Sequence, residues 1–509
     1  MSKTVLGIEL GSTRIKAVAV DESFRPVSNG DYTWASSLEN GVWTYHMDQV
    51  WTGLKAAVAG VQNRESIAAM GVSAMMHGYL AFDRDWNLLV PFRTWQNTIT
   101  GPAADALTAA LNFNSPPRWS ISHLYQAVLN GEAHLSRLAH ITTLAGYVHH
   151  CLTGQNVLGV GEASGMFPID STALDYDQGM VEKCNALLRE KGYDWDLRDL
   201  LPTVLPAGAA AGVLTAEGAA LLDGLLAEGI PFAPPEGDAG TGMVATNSVA
   251  PRTGNVSAGT SIFGMVVLEK PLSRVYPEID LVTTPSGAPV AMVHCNNCTN
   301  DMNAWVGVLR ETAALFGAQP DTGAVYTALY NKSLEGDADC GGVQVCNYLA
   351  GEGVTHFDSG MPLVAHTPGK PFTLANFVRA QLYSTVATLA IGMELLTGEQ
   401  VVIDRLMGHG GLFKTPVVGQ KYLAAACNAP VTCMETAGEG GPYGMALLAA
   451  YLLDAESGRS LERFLDEAVF AGAAGTTLQP DAEDVQGFAR WLKGYRGLLA
   501  AERAAVETM

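Results

Sequence analysis

A repeated turn is the feature that most limits what this chain can fold into. Val5–Asp21 reads VLGIELGSTRIKAVAVD, an apolar strand that runs into Gly11-Ser12-Thr13 and leaves as a second alternating strand. That pattern predicts a tight hairpin with exposed backbone N–H groups, a turn able to hold a phosphate. Gly254–Leu268 reads GNVSAGTSIFGMVVL and repeats the same grammar around Gly259-Thr260-Ser261. One such hairpin in each half of the chain makes coincidence the weaker reading, and two turns facing each other across a cleft would surround a polyphosphate. Glu9 stands two residues before the first turn, where a carboxylate is placed to hold the waters of a Mg²⁺ ion bridging nucleotide phosphates.

A chain of 509 residues exceeds one core of ordinary size, so two domains are expected. Hydrophobic residues make up 48 % and charged ones 16 %, which argues for globular structure and against long disordered segments. The net charge of −21 repels nucleic acid and anionic membrane surfaces. An anionic substrate must then be received locally, by backbone donors and a divalent cation. The N-terminal apolar run is too short for a signal peptide and no stretch is long enough to span a bilayer, so a cytoplasmic protein is expected. Eight scattered cysteines suit reduced, packed thiols better than a disulfide framework, and Cys295-Asn-Asn-Cys298 has no second pair at zinc-site spacing.

Strand and helix signals then alternate along the chain, which indicates an α/β fold. A helix with Asp48 as N-cap carries Val50, Leu54, Val58 and Val61 along one stripe. A buried strand follows at Ile67–Ser73, then Met76-His77-Gly78 and a short strand at Leu80–Asp83. Ligands in such folds collect beyond the carboxyl ends of strands, where Met76-His77-Gly78 falls. Residues 103–154 are helical by periodicity, and the adjacent His149 and His150 point to different faces and so do not suggest a metal site. Gly229–Gly242 is rich in glycine and proline and sets one acid, Asp238, among small residues; it reads as the hinge between domains. In the second half, a strand is expected at Ala291–His294 and helices at Met302–Phe316 and Leu374–Leu396. In Arg405–Pro416 a glycine turn precedes a helix with Thr415 as N-cap and Pro416 at its first position. A further glycine cluster at 438–442 opens a helix over Tyr443–Leu453.

With these motifs in order, the chain from Val5 to Asp454 resembles the FGGY carbohydrate kinases of the actin-like ATPase superfamily. Gly7-Ile-Glu-Leu-Gly-Ser-Thr resembles their first phosphate motif. Leu152-Thr-Gly with Glu162-Ala-Ser-Gly and Asp170 is similar to the family's LTG…DASG…D signature. Gly237-Asp238 and Gly254–Ser261 resemble the catalytic segment and second phosphate motif, and Gly410–Gln420 the adenosine segment. Met76-His77-Gly78 is similar to the segment by which xylulokinases contact their sugar, and Thr94-Trp95-Gln96-Asn97 occupies the place of W-N-D-x-R. Asn97 stands where the family has aspartate, Ile99 where it has arginine, and Glu9 where it has the metal-site aspartate.

The resemblance implies two ribonuclease-H-like domains around a central cleft. The expected division is an N-terminal domain over 1–246 with the sugar site and first phosphate motif, a C-terminal domain over 247–455 with the second phosphate motif and adenosine site, and a helical extension over 456–509. It implies ATP-dependent phosphorylation of a ketose, with a pentulose such as D-xylulose the leading substrate and ATP and Mg²⁺ as cofactors. Asp238 is the expected general base, because a sugar hydroxyl is a poor nucleophile at neutral pH. Met76, His77, Gly78, Trp95, Asn97 and Asp238 are the expected sugar contacts. Gly11, Ser12, Thr13, Lys16, Gly259, Thr260, Gly410, Gly411 and Lys414 are the expected ATP contacts, and Glu9 the metal residue. The expected partners are the sugar and ATP, with no nucleic acid and no membrane, and a homodimer is left open. The alternatives are an L-ribulokinase-like or other polyol kinase, a catalytically silent sugar-binding sensor on the kinase fold, and an actin-like ATPase.

Overall fold

The computed structural model describes residues 3–434 and 440–508. The chain forms two compact units. The first comprises Met1–Pro251, Lys270–Val290 and Glu439–Gly472; the second comprises Arg252–Glu269, Ala291–Gly438 and Ala473–Met509.

The first unit is built on a five-stranded sheet in the order Glu236–Gly237, Ile67–Ala74, Thr4–Leu10, Arg14–Val20, Pro26–Thr33. Thr4–Leu10 and Arg14–Val20 are the expected hairpin, with Glu9 opposite Lys16 and Leu10 opposite Ile15. Ile67–Ala74 runs parallel to Thr4–Leu10 and Glu236–Gly237 parallel to Ile67–Ala74. Three parallel strands therefore end side by side at Leu10, Ala74 and Gly237. The helix Met47–Gly60 buries Val50, Leu54 and Val58 against this sheet. Its N-cap is His46, without a side-chain cap, and Asp48 lies in the first turn instead, where a carboxylate still favours the helix dipole. Leu80–Phe82 does not join the main sheet but pairs with His140–Thr142. The stretch over 103–154 expected to be helical holds three helices, Gly101–Leu111, Ser120–Asn130 and Leu144–Thr153, with the strand His140–Thr142 before the last.

Two placements differ from expectation. The glycine- and proline-rich passage lies inside the first unit and not at the crossing between units, which falls after Pro251. Its backbone is sheet edge: Met70 N–H donates to Pro231 and Ala233 N–H to Met70, and prolines suit an edge that need not donate further. The helix Gly441–Asp454 belongs to the first unit, although the sequence reading set it in the second domain. It lies directly on the sheet because Gly7 has no side chain; a Cβ there would meet Pro442 O and Ala446 N.

In the second unit the strands run in the order Pro289–Cys295, Ile262–Val267, Thr253–Ala258, Arg405–His409, Val431–Met434, Gly475–Leu478. Thr253–Ala258 and Ile262–Val267 form the second hairpin, and Arg405–His409 runs parallel to the first of them. The helix Leu374–Gly398, capped by the Thr373 hydroxyl, is buried over most of its length. The helix expected to start at Pro416 instead starts at Val418. Val417, not Thr415, is its N-cap, with φ +73°, because the chain first makes a tight turn over Gly411–Phe413. The C-terminal helix Ala482–Thr508 is fastened by Asp484, which pairs with Arg379 and Lys421, and by Trp491, whose indole N–H donates to Val343 O. Of the glycine cluster at 438–442, residues 438 and 439 lie outside the described residues. No helix among the described residues is long and apolar enough to cross a membrane.

Candidate active site

The three parallel strand ends of the first unit bring the predicted residues together. Register sets Glu9 beside Ser73, and Ser73 beside Glu236. Asp238 begins the helix Asp238–Ala245 directly after the edge strand, and its Oδ1 accepts the Met76 N–H at 3.1 Å. The candidate base and the Met76-His77-Gly78 segment are thus tied to each other. His77 is buried with φ +72°, followed by Gly78 at +88°. Its ring stacks on Trp119, centroids 6.1 Å apart, and Nδ1 lies 3.1 Å from Gly165 O. The Gly165 carbonyl can only accept, so Nδ1 is the protonated nitrogen of that hydrogen bond. A left-handed histidine is costly backbone, and strain of this kind is concentrated at ligand sites.

Four carboxyl groups share this end of the sheet, and burial shifts every one of them. Asp238 is pushed up to about 6, mainly by desolvation and against the Met76 and Ala239 N–H groups. Glu9 is pushed up to about 7 by desolvation and then by Asp238, with Lys16 opposing. Glu236, fully buried, accepts N–H donors from Gly161 and Glu162 yet still rises to about 8. Glu162 is raised well above the carboxylate range by burial, with Glu236 and Asp238 adding to the rise against the Thr143 hydroxyl. The sequence reading did not foresee Glu236 in this group. Its only signal was adjacency to Gly237-Asp238.

The first phosphate-type turn is braced on its carbonyl side. Trp34 Nε1 donates to Gly11 O at 2.7 Å, the Tyr45 hydroxyl to Ser12 O at 2.6 Å, and Trp34 N–H to Thr13 O at 3.2 Å. Trp95 Nε1 lies 3.2 Å from the Ser12 hydroxyl, so Trp95 touches the turn. Glu9 Oε2 is buried without a hydrogen-bond partner among the described residues, against the Cα of Gly441 at the start of the helix Gly441–Asp454. An orphaned carboxylate oxygen beside a second carboxylate and a phosphate-type turn fits a divalent cation that takes its remaining ligands from water and phosphate. No cluster of three or more acidic, His or Cys side chains placed to hold a metal ion exists among the described residues.

In the second unit Arg405–His409 ends beside the second hairpin, with His409 opposite Ser257. Gly410, φ +99°, lies against the Ala258 carbonyl so closely that no Cβ fits. Gly410 and Gly411 therefore adjoin the Gly259-Thr260 turn at the carboxyl end of a parallel strand, the usual ligand position in α/β sheets. Lys414 follows immediately after the turn Gly411–Phe413.

The sequence comparisons fit this arrangement. Residues 4–245 match the N-terminal domain of the FGGY family of carbohydrate kinases, and residues 254–453 match its C-terminal domain. The chain belongs to the FGGY family of carbohydrate kinases. It is an ATP-dependent sugar phosphotransferase. Xylulose kinase of Haemophilus influenzae is 21% identical over 454 residues, covering 84% of this chain and 87% of that protein. Among solved structures, a ligand-bound xylulose kinase from Lactobacillus acidophilus superposes with a TM-score of 0.81 at 15% identity, covering 98% of each chain. A gluconate kinase from the same organism superposes with a TM-score of 0.80 at 16% identity and the same coverage. These likenesses establish the two-domain α/β FGGY kinase fold.

One predicted sugar contact is turned inward. The Asn97 amide, almost fully buried, donates to Trp43 O and Thr94 O and accepts the Trp43 N–H at 2.8 Å. It fastens Thr94-Trp95-Gln96 to the strand Val42–Thr44, and the demand of buried backbone groups for partners takes precedence over ligand contact. Ile99 is half-exposed and contributes no polar group.

Proposed function

We propose that this FGGY kinase phosphorylates a ketose hydroxyl, with a pentulose such as D-xylulose the leading candidate and Asp238 the general base. The observation that carries the reading is the Met76 N–H to Asp238 Oδ1 hydrogen bond, which sets the base against the sugar-type segment. A base is most effective when its pKa lies near working pH, and a carboxyl at about 6 is ionised at pH 7 while retaining proton affinity. In the step proposed, Asp238 takes the proton of the sugar hydroxyl and that oxygen forms a bond to the γ-phosphorus of ATP. The bond between the γ-phosphorus and the bridging oxygen breaks, and ADP leaves. His77 stands beside the sugar with the Met76-His77-Gly78 segment, and Trp95 supplies a wall beside Ser12.

In the first unit the proposed phosphate donors are the backbone amides of Gly11-Ser12-Thr13, with Lys16 the proposed cation; in the second unit they are those of Gly259-Thr260, with Lys414 the proposed cation and Gly410-Gly411 leaving room for the adenosine end. Mg²⁺ held through water by Glu9 would neutralise phosphate charge during transfer. The turn amides supply donors that need no reorganisation.

A coupled ADP-release assay across ketoses, polyols and sugar acids tests the reading. Turnover of a pentulose well above the others supports it. Equal preference for a hexonate such as gluconate or for L-ribulose would move the substrate while retaining the chemistry. Sugar binding with only background ADP release would replace the reading with that of a silent sensor.

A further inference from the structure

The Cys295-Asn-Asn-Cys298 segment shows no metal-type grouping among the described residues, and its thiols are free, buried and pushed up by desolvation. The residues between and after the cysteines carry the interest. Cys298 N–H donates to Thr260 O at 3.1 Å. Thr299 donates to Gly259 O twice, from its N–H at 3.1 Å and from its hydroxyl at 2.7 Å. Gly259 N–H in turn donates to Ser261 O at 2.9 Å. Every carbonyl of the Gly259-Thr260-Ser261 turn is thereby engaged. No acceptor among the described residues takes the Thr260 or Ser261 amide.

The segment is itself held from its other side. Glu352 Oε2 accepts the N–H groups of Asn296 and Asn297 at 3.0 and 3.3 Å and the Asn297 side-chain amide at 3.1 Å. Asn297 Oδ1 accepts Leu349 N–H and Ala350 N–H at 2.8 and 3.0 Å, and Asn347 Nδ2 donates to Cys298 O at 2.7 Å. Glu352, Asn297 and Asn347 are all buried, so these bonds are shielded from competing water.

We infer that the Asn296–Thr299 segment, clamped by Glu352 and Asn297, is the positioning device of the second phosphate turn. Thr299 and Cys298 hold the turn's carbonyls, and Glu352 holds the segment that carries them. Donors aimed at a phosphate act only if the peptide planes that bear them are fixed, and a peptide plane is fixed by its carbonyl as well as by its N–H. Thr299, Glu352 and Asn297 are positioning residues on this account, since none is assigned a contact with ATP.

The inference rests on the kinase reading above, and the test separates the two. Magnesium–ATP binding by calorimetry, KM for ATP and for sugar, and amide exchange of a peptide covering 256–263 are measured for wild type, Thr299→Val, Thr299→Ser and Glu352→Gln. Thr299→Val is expected to weaken ATP binding and raise KM for ATP by about three- to tenfold, the effect of one lost hydrogen bond. It should speed exchange at the turn while leaving KM for sugar within about twofold, as fits a contact on the nucleotide side only. Thr299→Ser keeps the hydroxyl and should behave as wild type. Glu352→Gln, which keeps one acceptor oxygen but replaces the other by an amide donor, should fall between wild type and Thr299→Val. Wild-type ATP affinity in Thr299→Val, equal weakening in Thr299→Ser, or a matching rise in KM for sugar would overturn the inference alone. A wild-type protein that binds no ATP would overturn the kinase reading and the inference with it.

Discussion

Replacing Asp238 by Asn should make the protein slower and more stable at once. The carboxyl rises from 3.8 to about 6 in the folded chain, chiefly through desolvation. Below about pH 4 the acid is largely neutral whether folded or unfolded, so the substitution changes little there. Between about pH 4 and 6 the unfolded chain ionises this acid while the folded state still holds its proton, so stability is lost across that window and the loss levels off above about 6. A shift of about 2 units at about 1.4 kcal/mol each gives about 3 kcal/mol by pH 8, and partial solvent access to the half-buried group reduces this to roughly 1–3 kcal/mol. Asparagine keeps an oxygen for the Met76 N–H, so the packing that sets the Met76-His77-Gly78 segment is retained. The expected result is a stability gain of about 1–3 kcal/mol at pH 8 that shrinks toward zero near pH 4, with kcat lower by roughly 10²–10⁴ and sugar binding nearly intact. Denaturant unfolding at the two pH values, with steady-state kinetics at pH 8, measures all of this. A loss of stability at pH 8, a gain independent of pH, or more than half the wild-type kcat would refute the assignment.

The neighbours of Asp238 give three further predictions. His77→Ala should raise KM for the preferred sugar far more than KM for ATP, and equal effects with a lowered Tm would make the histidine structural. Glu9→Gln should raise the Mg²⁺ requirement and lower kcat, whereas Glu9→Asp, which keeps the charge, should be much milder; a Mg²⁺ titration of Glu9→Gln that overlays wild type would remove Glu9 from the metal site. Gly441→Ala sets a methyl where Glu9 Oε2 lies, so kcat should fall as the carboxylate is displaced. Its Tm should change little, because alanine is the better helix former by roughly 1 kcal/mol, and unimpaired turnover would show that the Glu9 position is unimportant.

Local pattern revealed the elements whose cause is local. The two hairpins, the stripe Val50-Leu54-Val58 and the long helix from Leu374 follow from periodicity and turn residues, and the structure contains each of them. Placements decided by distant partners were not legible. Asp238 stood out as an acid among glycines and prolines, yet that passage is sheet edge because it meets Met70, far back in the chain. The helix Gly441–Asp454 returns to the first unit because Gly7 and Gly71 clear a bed for it, and two isolated glycines in buried strands do not announce such a partner. Asn97 resembled a substituted sugar contact, but only the position of Trp43 shows that its amide is already engaged. Gly475–Leu478, in a tail that read as helical, is a strand because Val431–Met434 offers it an edge. The turn braces Trp34, Tyr45 and Thr299 carry no motif of their own.

Two buried and two half-buried acids at one sheet end are a poor choice for stability alone, and their shifts give a reason for the arrangement. Glu236 is pushed up to about 8, and burial raises Glu162 well above the carboxylate range, so both are biased toward the neutral acid. Glu236 still accepts the Gly161 and Glu162 N–H groups, and the charge at this sheet end is left to Glu9 and Asp238. Those two titrate near 7 and 6, each raised in part by burial and Glu9 further by its neighbour. One ionised partner makes the other harder to ionise, so the pair is held short of full charge until something positive arrives. A divalent cation beside Glu9 would lower both pKa values and convert the repulsion into attraction. Binding of a magnesium–nucleotide complex should then release protons and stabilise the first unit, whereas nucleotide without the metal should do neither. In a chain with a net charge of −21, such coupling would let a polyanion be received without a basic patch, with turn amides as the donors and the cation that accompanies the nucleotide neutralising Glu9 and Asp238.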